Sequence, residues 1–227
     1  MKKAVSSWRL KLTSSFGIVF LLFAAASAGF VKIADEVTER ETKVFDESVL
    51  NRVHDLANHT LDTLAVMTTD IGGWMVIVWG LLILGWLLYK NAWNKVIVLI
   101  AGLGGAEILN LMLKALFARP RPELWERLVV EQSFSFPSGH AMASSALAFV
   151  IMYITWNTKW RWWSIISASF FMIYIGLTRL YLGVHYPTDI VAGWCVSGAW
   201  VGLVILLTKF FLRKRPSIAS QSHAHDS

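Results

Sequence analysis

The chain has 227 residues, of which 56% are hydrophobic and only 16% are charged. A soluble domain of this length needs far more polar surface, so this composition predicts an integral membrane protein with several spans. The net charge of +6 does not indicate nucleic-acid binding, because most basic residues cluster beside apolar segments. The single cysteine, Cys195, rules out a disulfide within the chain.

Apolar runs of about 20 residues, with shorter ones allowed where helices pack on one another, predict an all-α, polytopic fold. The six predicted transmembrane helices are Ser15–Ile33, Ile71–Tyr89, Lys95–Phe117, Gly139–Trp156, Trp162–Leu177 and Thr188–Leu212. We expect residues 1–215 to form one six-helix membrane domain, and residues 216–227 to form a polar cytoplasmic tail.

Basic residues predict how these spans are oriented. The connectors KNAWNK and NTKWRW each carry two basic residues and no acid, and both chain ends are basic as well. These four segments fall on one side, which the positive-inside rule assigns to the cytoplasm. We therefore expect a multi-pass protein of the plasma membrane with both termini cytoplasmic.

The first span also has a second interpretation. A basic start, an apolar stretch and the small residues Ala26-Ser27-Ala28 resemble a signal peptide with its cleavage site. Small residues equally let helices pack closely, and we prefer an uncleaved span.

The acidic connector 34–70 lies outside in this topology and contains apolar residues at helical spacing. These are Phe45, Val49, Val53, Leu56, Leu61 and Leu64. They predict an amphipathic helix between spans 1 and 2, lying on the membrane surface or capping the bundle.

Ionisable residues at the span ends predict a functional site. Lys114, His140, Arg179, His185 and Asp189 all fall at outer ends, because spans 3 and 5 run outward and spans 4 and 6 run back. Clustered cations repel one another unless an anion lies between them. Salt bridges to acids on the same side are the alternative, and these acids are Glu123, Glu126 and Asp189.

The segment Pro137-Ser138-Gly139-His140 opens the fourth span. Ser138 is a good N-cap, and Gly139 lets another group approach the backbone closely. The unpaired N–H groups of a helix start suit a phosphate, and His140 is placed to exchange a proton with it. The alternative is a loop-to-helix joint in which His140 only caps the helix.

The segment TRLYLGVHYPTD places His185 just before Pro187, with Asp189 in the first turn of the sixth span. A histidine held by a carboxylate has one nitrogen fixed as a donor and the other available as a nucleophile. A structural His–Asp hydrogen bond is the alternative.

Together these segments resemble the type 2 phosphatidic acid phosphatase superfamily, in particular its small six-span bacterial branch. That family has three signatures, Lys-x6-Arg-Pro, Pro-Ser-Gly-His and Ser-Arg-x5-His-x3-Asp. Here they are matched by Lys114 with Arg121-Pro122, by Pro137–His140, and by Thr178-Arg179 with His185 and Asp189. Thr178 replaces the family serine and keeps the hydroxyl.

The resemblance implies a metal-independent phosphohydrolase without a cofactor. By family role, His185 attacks phosphorus and forms a phosphohistidine, and Asp189 orients it. His140 protonates the leaving oxygen and then activates water. The phosphate oxygens are held by Lys114, Arg121, Arg179 and the backbone N–H groups of Ser138 and Gly139. Arg119 has no assigned role, and we expect it to contribute through headgroup binding.

The implied substrate is a lipid phosphate drawn from the bilayer, with its phosphate at the outer boundary. We expect phosphatidylglycerophosphate, with undecaprenyl pyrophosphate as the alternative or second substrate. Membrane lipids are the other expected partners, and we predict no nucleic acid and no obligate protein partner.

A proton-coupled transporter is a more remote alternative. Glu107, Asn110 and Lys114 lie on one helix face at positions i, i+3 and i+7, which suits either a proton path or a polar packing seam. The motifs lie on one side rather than at the midplane, and no internal repeat is visible, which argues against transport.

Overall fold

The computed structural model describes residues 2–213, with side chains from Phe16 to Phe211. Regular structure in this part of the chain is helical throughout, as expected. The α-helices are α1 Lys2–Thr38, α2 Lys43–His54, α3 His59–Thr69, α4 Met75–Tyr89, α5 Trp93–Phe117, α6 Gly139–Thr155, α7 Arg161–Tyr181 and α8 Pro187–Arg213. The predicted tail, residues 216–227, lies outside the described residues.

Several helices are suited to crossing a membrane. Four segments are long and apolar enough, namely Phe16–Thr38, Trp93–Phe117, Arg161–Tyr181 and Pro187–Phe211. A fifth consists of His59–Gly72 and Met75–Tyr89, which are bent by 41° at their junction. Helix α6 is apolar but has only 17 residues. The chain is thus a multi-pass membrane protein, and the sixth span stays a prediction.

The predicted second span, Ile71–Tyr89, is wrong at its start. A 3₁₀ turn occupies Asp70–Gly72, and α4 begins only at Met75. A Cβ on Gly72 would lie 2.2 Å from the Ile175 side chain, and one on Gly73 would lie 2.8 Å from Nε2 of His140. The chain therefore breaks where two bare glycines pass close to α6 and α7.

Helix α6 lies at the centre of the bundle, against α5, α7 and α8. Met142, Ala146 and Val150 are almost fully buried on it. The neighbouring α5 and α8 approach closely, because Trp200 covers Gly105 and donates from Nε1 to the carbonyl of Ala101 at 2.8 Å. This close packing fixes the helix ends that carry the motifs.

The two short basic connectors lie at the same end of the bundle. Lys95, at the start of α5, donates from Nζ to the carbonyl oxygen of Ile154, near the end of α6, at 2.9 Å. Helices α5 and α6 therefore run antiparallel. Lys114 and His140 lie at the opposite ends of these helices, as the sequence predicts.

The single amphipathic helix predicted between spans 1 and 2 is two helices. The chain turns after His54, and Asn58 starts α3 by accepting a hydrogen bond from the N–H of Leu61 at 3.0 Å. The predicted apolar face remains largely exposed, with Phe45 at 59% and Leu56 at 66%. Both helices instead pack on α7, and α2 also packs on α8.

Two other helices are longer than predicted. Helix α1 continues past Ile33 to Thr38 and packs along α8. A Cβ on Gly198 would lie 3.5 Å from the Cβ of Ala26, so the two helices are close at this point. Helix α7 continues past Leu177 to Tyr181, so Arg179 lies inside its last turn.

Candidate active site

His185 and Asp189 form a buried pair where the chain enters α8. Nδ1 of His185 lies 3.3 Å from Oδ2 of Asp189, which also accepts a hydrogen bond from the N–H of Tyr186 at 2.9 Å. Nε2 of His185 lies 3.1 Å from Nη1 of Arg121. A guanidinium only donates, so Nε2 is the acceptor and Nδ1 carries the proton that faces Asp189.

The surroundings of His185 keep its imidazole neutral. Burial, followed by the positive charges of Arg121, Arg179 and Lys114, lowers the pKa of His185 well below its ordinary value of 6.5. At neutral pH the ring therefore has a lone pair on Nε2, which is the requirement for attack on an electrophile.

Ser133 brings together the two cations of the first signature. Its hydroxyl accepts hydrogen bonds from Nζ of Lys114 at 2.7 Å and from Nη2 of Arg121 at 3.2 Å. Arg121 also donates from Nε to the Ser133 carbonyl at 2.7 Å and from Nη1 to the Val184 carbonyl at 2.8 Å. The Arg121 guanidinium is thus fixed beside His185.

Arg179, the third cation, is 1% exposed in the last turn of α7. It pairs with the carboxylate of Glu131 and donates from Nη1 to the hydroxyl of Thr69 at 2.7 Å. Its Nε is buried and has no acceptor among the described residues.

Glu131 is an acid of the site that was not predicted from the sequence. Its carboxylate lies 3.6 Å from Arg121 in addition to its pair with Arg179. Burial raises the pKa of Glu131, but Arg179 and Arg121 together hold it below its usual value. Of the acids suggested instead, Glu123 contacts Arg127 on the surface at 3.6 Å. The signal available in the sequence was an acid in the loop that joins two cationic motifs.

The start of α6 partly follows the prediction. The hydroxyl of Ser138 accepts a hydrogen bond from the N–H of Ala141 at 3.4 Å, which confirms the N-cap. The backbone N–H of Ser138, however, donates to the carbonyl of Asp189 at 3.0 Å and is engaged there. The N–H groups of Gly139 and His140 have no acceptor in the described part of the chain. The unpaired backbone N–H groups are therefore those of Gly139 and His140, whereas the sequence predicted those of Ser138 and Gly139.

An apolar cavity of about 630 Å³ borders the part of the site formed by Lys114, Ser133 and the start of α6. His140, Lys114 and Glu131 line one end of it. The apolar wall comes from α4 and α5, where Ile77, Leu81 and Ile100 are more than half exposed on the bundle surface. The cavity is therefore open towards the apolar flank of the protein.

The polar stripe on α5 forms part of the cavity wall. Glu107, Asn110 and Lys114 all line it. Asn110 is buried, donates from Nδ2 to the carbonyl of Pro137 at 3.2 Å, and packs against Gly139. Its contacts are those of a packing residue that supports the start of α6.

Arg119 points into the protein rather than towards a lipid headgroup. Its Nη1 lies 2.5 Å from Oδ1 of Asp189, and its Nη2 lies 2.8 Å from Oδ2 of Asp46. Asp46 is fully buried and was missed by the sequence analysis. The hydroxyl of Thr178 donates to the Ile175 carbonyl at 2.7 Å and is used within its own helix.

Comparison with known proteins identifies the family. The sequence profile of the PAP2 superfamily matches residues 95–217, which is more than half of the chain. The chain belongs to the PAP2 superfamily. This confirms the resemblance drawn from the three signatures, and the protein is a membrane enzyme of the lipid phosphatase class.

Similar proteins extend the match beyond the signatures. Phosphatidylglycerophosphatase B of Bacillus subtilis is 28% identical over 194 residues, which is 82% of this chain and 89% of that protein. An undecaprenyl-diphosphatase of the same organism is 27% identical and is matched over 66% of this chain and 77% of its own length. The crystal structure of a transmembrane PAP2-type phosphatidylglycerolphosphate phosphatase from B. subtilis superposes with a TM-score of 0.72 and 25% identity, covering 86% of this chain and 98% of that one.

Proposed function

We propose that the protein hydrolyses a lipid phosphate through a phosphohistidine on His185. The observation that supports this most is the neutral imidazole between Asp189 and Arg121, with Nδ1 towards the carboxylate and Nε2 towards the cations. In the first step a bond forms between Nε2 and phosphorus, and the bond between phosphorus and the lipid oxygen breaks.

His140 is the proposed proton carrier. It lines the cavity at the start of α6, beside Lys114 and Glu131. In the first step it gives a proton to the leaving lipid oxygen. In the second step it takes a proton from water, which attacks the phosphohistidine and releases inorganic phosphate and His185.

Negative charge that develops on the phosphoryl oxygens is stabilised in this mechanism by Lys114, Arg121, Arg179 and the N–H groups at the start of α6. Ser133 holds Lys114 and Arg121 together before substrate binds, and phosphate would replace the Glu131 carboxylate on Arg179 and Arg121. We propose that the enzyme needs neither a metal ion nor a cofactor.

The proposed substrate is phosphatidylglycerophosphate. Similarity to phosphatidylglycerophosphatase B over most of both chains supports this choice. The apolar cavity, which Lys114 and His140 line, suits an acyl chain whose phosphate lies beside these two residues. Undecaprenyl pyrophosphate is the second candidate, supported by the similarity to an undecaprenyl-diphosphatase.

We also propose six spans, with both termini in the cytoplasm and the site on the outer face of the plasma membrane. The basic connectors lie at the end of the bundle opposite to His140 and Lys114, which supports this orientation. Membrane lipids are the proposed partners, without an obligate protein partner.

A substrate panel with purified full-length protein tests the function. Phosphate release is measured for phosphatidylglycerophosphate, undecaprenyl pyrophosphate and phosphatidic acid in mixed micelles, with His185→Ala as the control. We expect the highest kcat/KM for phosphatidylglycerophosphate. A higher value for undecaprenyl pyrophosphate would reverse the order of the two substrates, and no release from any of them would contradict the proposed function.

A further inference from the structure

Asp46 is a buried carboxylate that belongs to none of the three signatures. It lies on α2 and is 0% exposed. It accepts hydrogen bonds from Nη2 of Arg119 at 2.8 Å, from the hydroxyl of Thr188 at 2.8 Å and from the backbone N–H of Thr188 at 3.2 Å. Burial of a carboxylate is costly unless it is paired in this way. Asp46 thus joins α2 to the first turn of α8 and to the loop after α5.

Arg119 continues this contact to the proposed nucleophile. Its guanidinium lies between two carboxylates, with Nη2 on Asp46 and Nη1 2.5 Å from Oδ1 of Asp189. Its flat face stacks on the ring of Tyr186, 4.1 Å from the centroid. The other oxygen of Asp189 faces Nδ1 of His185. The result is a continuous chain of contacts from Asp46 to His185.

We propose that Asp46 is a positioning residue that fixes Asp189, and through it His185, by holding Arg119. This inference rests on the proposed phosphatase function. A guanidinium tends to bind one carboxylate through both of its outer nitrogens. Asp46 accepts the hydrogen bond of Nη2, so Arg119 contacts Asp189 through Nη1 alone and only at Oδ1. Oδ2 of Asp189 is left to face the imidazole of His185.

Charge supports the same role. Two carboxylates share the single positive charge of Arg119, so Asp189 keeps more of its negative character towards His185 than it would in a pair with Arg119 alone. Neutralising Asp46 is therefore expected to draw Arg119 fully onto Asp189 and to weaken the orientation of the imidazole N–H.

Helix α2 has a second anchor that does not depend on Asp46. Leu50 is 0% exposed and packs in a cluster with Ala141, Leu180 and Ile190. Asp46→Asn, which keeps the size of the side chain, should thus leave α2 in place. Glu47→Gln is the matched control, because Glu47 is on the same helix and its carboxylate lies 3.8 Å from Lys43.

The experiment measures kcat and KM of full-length protein in mixed micelles containing the lipid phosphate that is hydrolysed fastest. Asp46→Asn should lower kcat by about 10- to 100-fold, the range known for removal of groups that orient metal-binding histidines. KM should stay unchanged, because Asp46 has no contact with Lys114, Arg121 or Arg179. Glu47→Gln should behave as wild type.

A double-mutant cycle separates positioning from simple capping of α8. If Asp46 acts through Arg119, Asp46→Asn in an Arg119→Met background should cause little further loss of kcat. Arg119→Lys keeps the charge but replaces the two outer nitrogens of the planar guanidinium with a single ammonium nitrogen, and it should show the same selective fall in kcat. It also serves as the test if Asp46→Asn fails to fold.

Three outcomes would overturn the inference. The first is an unchanged kcat in Asp46→Asn. The second is a double variant in which the losses of kcat from Asp46→Asn and Arg119→Met multiply. The third is a fall in the kcat of Asp46→Asn that is fully explained by its unfolded fraction, measured by thermal melting. Failure of the proposed function itself is distinguishable, because wild type would then release no phosphate or His185→Ala would remain active.

Discussion

The carboxylate of Glu131 forms an ion pair with the buried guanidinium of Arg179. Arg121 lies within 3.6 Å of the same carboxylate, so an internal anion lies between two of the proposed phosphate ligands. An incoming phosphate must compete with this side chain for its cations, which makes Glu131 a direct probe of where phosphate binds.

Glu131→Gln should tighten phosphate binding. The amide keeps the size of the side chain but removes the competing charge, and we expect the inhibition constant of inorganic phosphate to fall by about tenfold, equivalent to about 1.4 kcal/mol. Inhibition of aryl phosphate hydrolysis measures it. Glu123→Gln is the control, because Glu123 is 85% exposed in its pair with Arg127. An unchanged constant in Glu131→Gln would mean that phosphate binds elsewhere.

The two histidines should differ in covalent labelling. His185→Ala should form no phosphoenzyme, because it lacks the attacking nitrogen. His140→Ala should still be phosphorylated by an aryl phosphate, whose leaving group needs little protonation, and should then release phosphate slowly because water lacks its base. Rapid quench with labelled substrate measures both steps. Label on His185→Ala, or label that is stable to acid, would assign the nucleophile to another residue such as Ser138.

In the pH profile of kcat/KM, the fall in activity on the acid side should occur well below pH 6.5. Protonation of Nε2 removes the lone pair, and burial together with Arg121, Arg179 and Lys114 lowers the pKa of His185 below that value. Activity is therefore kept as the pH falls through 6.5 and is lost only at lower pH. The negative charge of Glu131 raises this pKa, so Glu131→Gln should move the fall in activity to still lower pH. A fall in activity at or above pH 6.5 in the wild type would contradict a neutral, cation-flanked His185.

Turnover should survive removal of divalent metals. Lys114, Arg121 and Arg179 supply positive charge that a bound cation would otherwise provide. Dialysis against excess EDTA, followed by assay with and without magnesium, measures this. Loss of activity that magnesium restores would require a metal in the mechanism.

A cysteine at Glu126 should react with an impermeant thiol reagent in intact cells. Glu126 is exposed on the loop between α5 and α6, which also carries Arg121 and Glu131. The assay needs a Cys195→Ser background, since Cys195 is the native free thiol. Labelling that requires permeabilised cells would place the site on the cytoplasmic side.

The sequence predicted the parts of the site that follow from helix direction. Antiparallel spans bring Lys114, His140 and Arg179 to one end whatever the details of packing, and the structure has them there. The spacing of His185 and Asp189 across the start of α8 likewise determines their pairing, because four residues make about one helical turn.

Other features depend on contacts between distant segments. Asp46 is one of several acids in the connector 34–70, and only the packing of α2 on α8 buries it beside Arg119. The place of Glu131 in the loop between two cationic motifs is visible in the sequence, but its pairing with Arg179, 48 residues away, is not. The break at Gly72 and Gly73 could not be predicted from hydropathy, because the sequence that follows is continuously apolar and hydropathy carries no information about a backbone turn.

Because the cavity opens on the apolar flank of α4 and α5, we expect the substrate to enter from the membrane, and the rate to follow its concentration there. A substrate that enters from the side arrives by two-dimensional diffusion and never leaves the lipid phase. Its rate of capture then depends on the mole fraction of phosphorylated lipid in the surrounding leaflet, and not on the amount of lipid per volume of water. Diluting the substrate with inert lipid at constant total substrate should therefore slow turnover, whereas adding buffer should not.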